Sequence, residues 1–210
     1  MNDDSKLTRR EREKLTHRTE IIDAAERVFV KNGFLRSTME EVAAEAEFSV
    51  GAIYKHFEGK EKLCVQVIEN IIQECISEFK SEIMAMEKPL DALYEVVVLR
   101  LRHAKRHGKF FRLLINLDSS VMPEIAIPER CRGFYDEYLE DVATLFNKAM
   151  EDGLIVTMNP LSGAIGMDGI ISAFVAFWDR HNTKISIEEK TRTIQDNFLK
   201  HILIDTKKDK

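Results

Sequence analysis

The chain has 210 residues, of which 44% are hydrophobic and 32% charged, and its formal net charge at pH 7 is −5. This length supports one medium domain or two small ones with a real core. The N-terminus is charged and no uninterrupted apolar run reaches about 18 residues, so we expect neither a signal peptide nor a membrane span. Three cysteines without CxxC spacing argue against a disulfide scaffold or a metal knot, and they fit a reducing compartment.

The N-terminal segment is basic. Residues 6–18 contain six Lys or Arg side chains and two Glu. We interpret residues 1–18 as an arm that is disordered until it meets DNA, where it contacts phosphates or the minor groove; an ordinary solvated tail is the alternative. The net charge of −5 does not oppose DNA binding, because the position of the cations relative to the phosphates matters more than whole-chain charge.

Residues 19–62 have the pattern of three short helices. The first has one apolar face with helical spacing, made of Ile21, Ala25, Val28 and Phe29. We expect Gly33 to end it, because glycine adopts the left-handed conformation that helix C-termini often need.

Local capping signals start the second and third predicted helices. Thr38 and Glu41 form a capping box, and Ser49 is a good N-cap for a short helix over residues 50–56. Two helices separated by a tight turn predict a helix-turn-helix, which places one helix in the major groove of DNA. A three-helix packing unit that binds no nucleic acid is the alternative.

The order and spacing of several short motifs between residues 21 and 63 resemble the DNA-binding domain of the TetR/AcrR family of bacterial regulators. The matching pieces are Ala24-Ala25 with Phe29, Asn32-Gly33-Phe34, residues 38–43, residues 49–54 with His56-Phe57, and residues 60–63. One departure is Gly59, where such proteins often have Ser, Asp or Asn as a helix cap; glycine is an acceptable N-cap.

The resemblance implies which side chains face DNA. Phosphates are expected to be bound by hydroxyl, imidazole and ammonium groups and by helix N-terminal amides, at Thr38, Tyr54, His56 and Lys60. Base edges are assigned to Ser49, Val50, Ala52 and Lys55. Lys55 can donate to guanine, and small apolar side chains suit the thymine methyl group. The alternative to a phosphate contact for Tyr54 is that its ring packs at the edge of the core.

The remainder of the chain reads as helical, so the predicted fold class is all-α: an N-terminal three-helix helix-turn-helix domain followed by a C-terminal helical bundle for ligand binding and dimerisation over residues 63–206. Helix-capping residues and interruptions by proline or glycine divide this part of the chain into separate helices. The predicted helices cover residues 62–86, 89–108, 109–118, 129–152, 160–181 and 186–204, with a proline-bracketed connection over residues 121–128.

A stripe of small residues runs along the predicted helix over residues 160–181. Such a stripe lets another helix approach closely, and the resemblance implies a four-helix dimer interface built from the last two helices of each subunit. The expected interface residues are Ser162, Gly166, Gly169, Ala173, Ala176, Ile194 and Phe198. An intrachain core helix is the alternative. Asp168, next to the stripe, is either solvated, paired or in contact with a ligand.

Soft and aromatic side chains are abundant beyond residue 78, and such side chains suit an adaptable apolar cavity. The resemblance implies a small-molecule effector, expected to be largely apolar. The candidate pocket residues are Phe110, Leu114, Phe134, Tyr138, Met167, Phe174 and Trp178; plain core packing is the alternative for each.

A dense cationic stretch covers residues 100–109, at the expected end of a helix. Cations there complement the helix dipole and stay solvated. His103 and His107 are four residues apart, but their basic neighbours disfavour a metal ion. The alternative is a site for an anionic effector headgroup such as an acyl thioester phosphate, involving Arg100 and Arg106.

These observations predict a homodimeric, cytoplasmic transcriptional regulator, expected to be a repressor, that associates with the nucleoid when bound to DNA. It is expected to bind a palindromic operator and to be released by a small molecule. No cofactor, metal or membrane is expected. The sequence shows no Ser-His-Asp set, phosphate-binding glycine loop or metal-ligand spacing, so we do not expect an enzyme. An adaptor whose helix-turn-helix acts mainly through a protein partner is the other alternative.

Overall fold

The computed structural model describes residues 8–115, 129–181 and 183–204, and of residues 109–115 and 129–132 it describes only the helical backbone. These residues form an all-α fold, as predicted, with one isolated antiparallel bridge between Ile155 and Leu203. The helices are α1 Arg9–Asn32, α2 Met39–Glu45, α3 Val50–Tyr54, α4 Lys60–Glu78, a π-helical segment Phe79–Ile83, α5 Pro89–Ile115, α6 Glu129–Glu151, α7 Pro160–Arg180, α8 Ile187–Asn197 and α9 Leu199–Ile202.

The chain divides into two compact units. Unit 1 comprises Met1–Ile71 and Lys109–Pro128, and unit 2 comprises Ile72–Gly108 and Glu129–Lys210. The boundary predicted between residues 62 and 63 therefore falls inside the helix α4, whose first turns belong to unit 1 and whose last turns belong to unit 2.

The first helix begins earlier than predicted. Thr8 and Glu11 form a capping box, in which the Thr8 hydroxyl accepts from the Glu11 N–H and the Glu11 carboxylate accepts from the Thr8 N–H. Residues 9–18 are consequently helical, and the expectation of a disordered arm is wrong for them; residues 1–7 lie outside the described residues. The predicted end is confirmed: Gly33 follows the helix with φ 78° and ψ 148°, a combination restricted largely to glycine.

The caps of α2 and α3 are confirmed. The Thr38 hydroxyl accepts from the Glu41 N–H at 3.2 Å, and the Ser49 hydroxyl accepts from the Ala52 N–H at 3.2 Å. The turn between these helices contains Glu47, whose backbone φ is 59°. This left-handed conformation is energetically unfavourable for residues other than glycine. The helix α3 ends at Tyr54, two residues before its predicted end.

Unit 2 is a helical bundle around an apolar core. The core combines aliphatic side chains of α5 and α6 with Phe146, Met167 and Trp178, and further side chains from α8 and α9 complete it. The prediction of two helices over residues 89–118 is wrong, because α5 continues through Gly108 to Ile115. Glycine inside a helix costs only about 1 kcal/mol, which the packing of a long amphipathic helix can offset.

The ends of the later helices follow local rules. After α6, Gly153 adopts φ 67°; its N–H donates to Met150 and the Leu154 N–H donates to Ala149, which is the Schellman pattern. Ser186 caps α8 with a capping box, as predicted. The last helix is interrupted at Phe198 (φ −128°, ψ −68°), so the single helix predicted to residue 204 is wrong.

A close contact on α7 makes one glycine indispensable for packing. A Cβ atom at Gly163 would lie 2.8 Å from the Phe146 ring and 3.0 Å from the Met158 sulfur. We expect Gly163→Ala to lower the free energy of unfolding by about 1–3 kcal/mol, because the core must shift to admit the methyl group. Chemical denaturation measures this.

The matched control is Gly108→Ala within α5, where no described atom lies within 4 Å of the added Cβ. It should stabilise by about 0.5–1 kcal/mol through helix propensity. Equal stability gains for both variants would contradict the packing described at Gly163.

Candidate nucleic-acid interface and buried polar cluster

The side chains expected to face DNA lie on or next to the α2–α3 pair of unit 1. Thr38, Ser49, Tyr54 and Lys55 are exposed, and Tyr54 retains 51% of its accessible surface. The others, Val50, Ala52, His56 and Lys60, are half-buried. The Thr38 and Ser49 hydroxyls accept bonds from helix N–H groups, so each retains its O–H as a donor for a phosphate oxygen.

Lys60, predicted to bind phosphate, makes contacts within the chain that the sequence did not indicate. Its ammonium group donates to the backbone carbonyls of Phe34 at 3.0 Å, Leu35 at 3.3 Å and Ser37 at 2.8 Å. It also lies 4.6 Å from the centre of the Phe34 ring. An ammonium has three donors, and all three are used within the chain. The geometry therefore indicates a lysine that holds the loop between α1 and α2.

Arg18 is a second cation that the structure uses internally. Its terminal nitrogens donate to the His56 carbonyl at 3.1 Å and to Gln66 Oε1 at 2.6 Å, and its guanidinium lies 4.4 Å from the Phe57 ring centre. It thereby joins α1 to the end of α3 and to α4. These partners are 38 and 48 residues away in sequence, so no local pattern reveals them.

His56 is held uncharged near the end of α3. Burial, together with the neighbouring His17, Lys14 and Arg18, lowers its pKa below the ordinary value. Its Nδ1 atom is buried and has no hydrogen-bond partner among the described residues. A phosphate contact by this imidazole would consequently use a neutral N–H donor rather than a cation.

A polar cluster surrounds the buried Asp168 in unit 2. We call it the Asp168 cluster, and it comprises Arg100, Tyr135, Tyr138 and Asp168. Arg100 Nε donates to Asp168 Oδ1 at 3.0 Å, and the Tyr135 hydroxyl donates to Oδ2 at 2.8 Å. The Tyr138 hydroxyl is 3.5 Å from Oδ1. Of the three alternatives for Asp168, the structure therefore has it paired.

The basic stretch of α5 lies inside the helix, and its arginines pair with carboxylates. Arg102 pairs with Glu82 at 2.7 Å, and Arg106 pairs with both Glu74 and Glu78. The helix end predicted at this stretch is wrong, because α5 continues to Ile115. Lys105 and Arg106 are exposed, as expected of solvated cations. His103 and His107 are also buried, and no group of metal ligands occurs in the part of the chain that the structure describes.

His103 contacts the same acidic side chains. Its Nε2 atom is 2.8 Å from Glu78 Oε2. Burial lowers the pKa of His103 despite that carboxylate, while Arg106 and His103 lower the pKa of Glu78.

The candidate pocket residues pack in unit 2 where the structure describes them. Met167 is fully buried, Trp178 is 6% exposed and stacks with Phe174 at 5.1 Å between ring centres. Tyr138 meets the Phe79 ring edge to face at 5.1 Å, and Phe134 is half-buried. The side chains of Phe110 and Leu114 lie outside the described residues. The structure brings Tyr138 into the Asp168 cluster, and it places Met167, Phe174 and Trp178 in or against the core.

The stripe of small residues on α7 is largely uncovered. Ser162, Gly169, Ala173 and Ala176 are exposed, whereas Gly166 faces the Phe198 ring of the same chain. Ile194 is fully buried, so it belongs to the core of its own subunit and is not available at a surface. Phe198 is half-buried and packs against Phe146, and its place at a dimer interface stays a prediction.

Larger apolar side chains flank the stripe on the same helix. Ile165 is 51% exposed and Phe177 is 56% exposed. By length and composition α7 could cross a bilayer: its 18-residue window has a mean hydropathy of 1.5, and 33% of that window is buried. The sequence shows no uninterrupted apolar run of that length because Asp168 divides it. An apolar helix with so little of its surface covered calls for a partner.

Comparisons with known proteins agree with this architecture. Residues 21–67 match the family model "Bacterial regulatory proteins, tetR family". The chain is 31% identical over 105 residues to the HTH-type transcriptional regulator TtgW of Pseudomonas putida, covering 49% of this chain and 77% of that one. It is 32% identical over 106 residues to the HTH-type regulator YerO of Bacillus subtilis, where the match spans 50% of this chain and 36% of its relative.

Solved structures share the fold. A regulator of the TetR/AcrR family from Thermobifida fusca superposes with a TM-score of 0.71 at 21% identity, over 87% of this chain and 96% of that one. The complex of AibR with isovaleryl coenzyme A and operator DNA gives a TM-score of 0.69 at 17% identity, over 87% and 98% of the two chains.

The contacts of Lys60 predict a structural role that stability measurements can test. We expect Lys60→Ala to lower the free energy of unfolding by about 1–3 kcal/mol, because three carbonyls lose a charged donor. Lys62→Ala, at an exposed position of the same helix, is the control and should change stability by less than about 0.5 kcal/mol. Unchanged stability of Lys60→Ala, with loss of DNA affinity alone, would instead establish Lys60 as a phosphate ligand.

Proposed function

Because the chain belongs to the tetR family of bacterial regulatory proteins, and is therefore a helix-turn-helix DNA-binding transcriptional regulator, we propose that it is a cytoplasmic repressor. In this proposal a homodimer binds a palindromic operator and a small molecule releases it. The observation that carries the proposal is the surface formed by exposed Tyr54 and Lys55 on α3 beside the capping hydroxyls of Thr38 and Ser49.

The chemistry of this surface supports contact with both backbone and bases. Tyr54 and the two capping hydroxyls supply neutral donors for phosphates, and Lys55 supplies a charged donor that reaches guanine. Val50 and Ala52 are small enough for thymine methyl groups. Lys60 and Arg18 are omitted from the proposed set of ligands, since their donors are used inside unit 1.

A dimer is proposed from the uncovered face of α7. Its small residues let a second copy of the helix approach closely, and Ile165 and Phe177 supply apolar area to bury. One recognition helix of five residues makes few base contacts. Two copies on a palindrome double those contacts, and the two-fold symmetry of the dimer then matches that of the operator.

The effector is proposed to act by linkage. The dimer has one geometry that fits DNA and another that does not, and the ligand binds unit 2 more tightly in the second. The ligand therefore lowers the affinity for DNA, and DNA lowers the affinity for the ligand by the same factor. AibR, which has been solved with isovaleryl coenzyme A and operator DNA, shows that this fold accommodates both kinds of partner.

The DNA surface is tested by anisotropy with a fluorescent duplex from the DNA that flanks the protein's own gene, across a salt series. Tyr54→Phe keeps the ring and removes the hydroxyl, so we expect a loss of about 1 kcal/mol per subunit on every duplex. Lys55→Ala should lose about 1–3 kcal/mol on the specific duplex only, because it removes base recognition.

The control for these variants is Lys184→Ala, an exposed lysine of unit 2, which should leave affinity and salt dependence unchanged. If the unmodified protein binds the duplex weakly and without sequence specificity, the DNA that flanks its own gene does not contain the operator. Equal losses for Lys55→Ala on specific and scrambled duplexes would assign Lys55 to a phosphate instead of a base.

The proposed dimer face is tested by Ile165→Glu, with Thr144→Glu on an exposed site of α6 as the matched control. A carboxylate buried between two apolar helices is costly, so we expect Ile165→Glu to be monomeric in sedimentation at micromolar concentration and to lose its preference for a palindrome over a half-site. The control should remain dimeric. A dimeric Ile165→Glu protein would place the interface elsewhere.

A further inference from the structure

The buried carboxylate of Asp168 is costly and yet fully partnered. Its residue is 3% exposed on an otherwise apolar helix, and it accepts from Arg100 and Tyr135 with Tyr138 close by. A buried ion pair adds little stability compared with apolar side chains of similar volume. A contribution to stability alone therefore does not explain why this carboxylate is present in the bundle.

Arg100 binds Asp168 by one edge only. The contact uses Nε, and within the described residues its two terminal nitrogens have no hydrogen-bond partner. The side chain is 29% exposed, so part of it is open to solvent. Burial opposes the charge of Arg100, but Tyr138 and Asp168 outweigh it and raise the pKa. The guanidinium thus stays charged and offers a planar edge of N–H donors.

Aromatic rings border this donor edge. The Tyr138 ring centre is 5.7 Å from the Arg100 guanidinium carbon, and the Tyr135 ring is stacked on that of Tyr138 at 6.3 Å between centres and an angle of 30°. Tyr135 itself is 49% exposed. Burial and the bond to Asp168 raise the pKa of Tyr135 to about 12, so its hydroxyl remains a neutral donor at physiological pH. The cluster therefore combines a charged planar donor with an exposed aromatic ring.

The charge balance around the donors decides which acceptor fits. Asp168 neutralises Arg100, and the nearby Arg102 and Arg106 are paired with Glu82 and with Glu74 and Glu78. An anionic ligand would therefore add a charge that no described cation balances, which is costly in a half-buried site. A neutral carbonyl oxygen accepts the same hydrogen bonds without adding charge.

We propose that the Asp168 cluster binds an uncharged, flat molecule through a carbonyl-type acceptor, which takes hydrogen bonds from the terminal nitrogens of Arg100 while its ring lies against Tyr135. The inference rests on the proposed effector response and names the chemical class of the effector. It replaces the anionic headgroup considered for Arg100 and Arg106, because the charge of Arg106 is already balanced by two glutamates.

The test uses three ring fragments that differ in the polar group: acetophenone, benzoate and benzylamine. Saturation-transfer NMR on the full-length protein, with each fragment at about 10 mM, suits the affinity expected of ligands with eight or nine heavy atoms. We expect acetophenone to bind and the two charged fragments to bind at least about tenfold more weakly. Preferential binding of benzoate or benzylamine, or the binding of no fragment, would overturn the proposal.

A charge change inside the cluster provides the sharper test. Asp168→Asn keeps an acceptor for Arg100 and removes the neutralising charge, so we expect benzoate to gain about tenfold in affinity while acetophenone changes little. The control, Arg106→Gln, removes an exposed arginine bound to Glu74 and Glu78 and should alter neither fragment. An unchanged order of affinities in Asp168→Asn would show that the fragments bind away from this cluster.

Failure of this inference is distinguishable from failure of the proposed function. Operator binding by the unmodified protein is measured in the same samples, with and without acetophenone. Sequence-specific DNA binding without fragment binding would remove the assignment of the effector class and leave the regulator intact. Fragment binding that follows the expected charge pattern, without DNA binding, would retain the cluster as a ligand site and contradict the proposed repressor.

Discussion

A carboxylate buried in an apolar helix dictates how unit 2 is arranged. Asp168 on α7 can be accommodated only where donors from neighbouring helices reach it, and Arg100 of α5 and Tyr135 of α6 supply them. A slip of one residue along α7 would turn the carboxylate away from these donors and leave a buried charge without partners, at a cost of several kcal/mol. Three helices are thereby fixed in one register, while the surrounding apolar contacts alone would tolerate several.

Unit 1 follows a related principle, in which long cationic side chains satisfy backbone groups that the short helices leave open. Lys60 covers three carbonyls of the α1–α2 loop, and Arg18 reaches the carbonyl of His56 just beyond α3. The helices α2 and α3 have seven and five residues, too few to be stable alone. Cations counted from the sequence as available for phosphates are therefore partly committed to the fold, which leaves Lys55 and the hydroxyl groups as the exposed donors of α3 and its flanks.

Features encoded within a few residues could be predicted, and those that depend on distant partners could not. The caps at Thr38, Ser49 and Ser186 and the helix stop at Gly33 are local, and the structure has all of them. The stop expected at Gly108 was wrong because the packing of a long helix outweighs one unfavourable residue. The carbonyls that Lys60 binds lie 23 to 26 positions away, and Arg100 lies 68 positions from Asp168. The burial of Ile194 depends on the orientation of a whole helix. Spacing along the chain carries no information about them.

The uncovered apolar face of α7 has a consequence for regulation if the proposed dimer forms. A single subunit exposes Ile165 and Phe177 to water, and exposed apolar surface of this kind favours association. If a second copy covers that face, the quantity of competent dimer rises with the square of the subunit concentration at low abundance. Control of the target genes would then respond more steeply to gene dosage, translation rate and proteolysis than control by a monomeric DNA-binding protein. Dimerisation would also reduce the effect of short bursts of expression on the target genes.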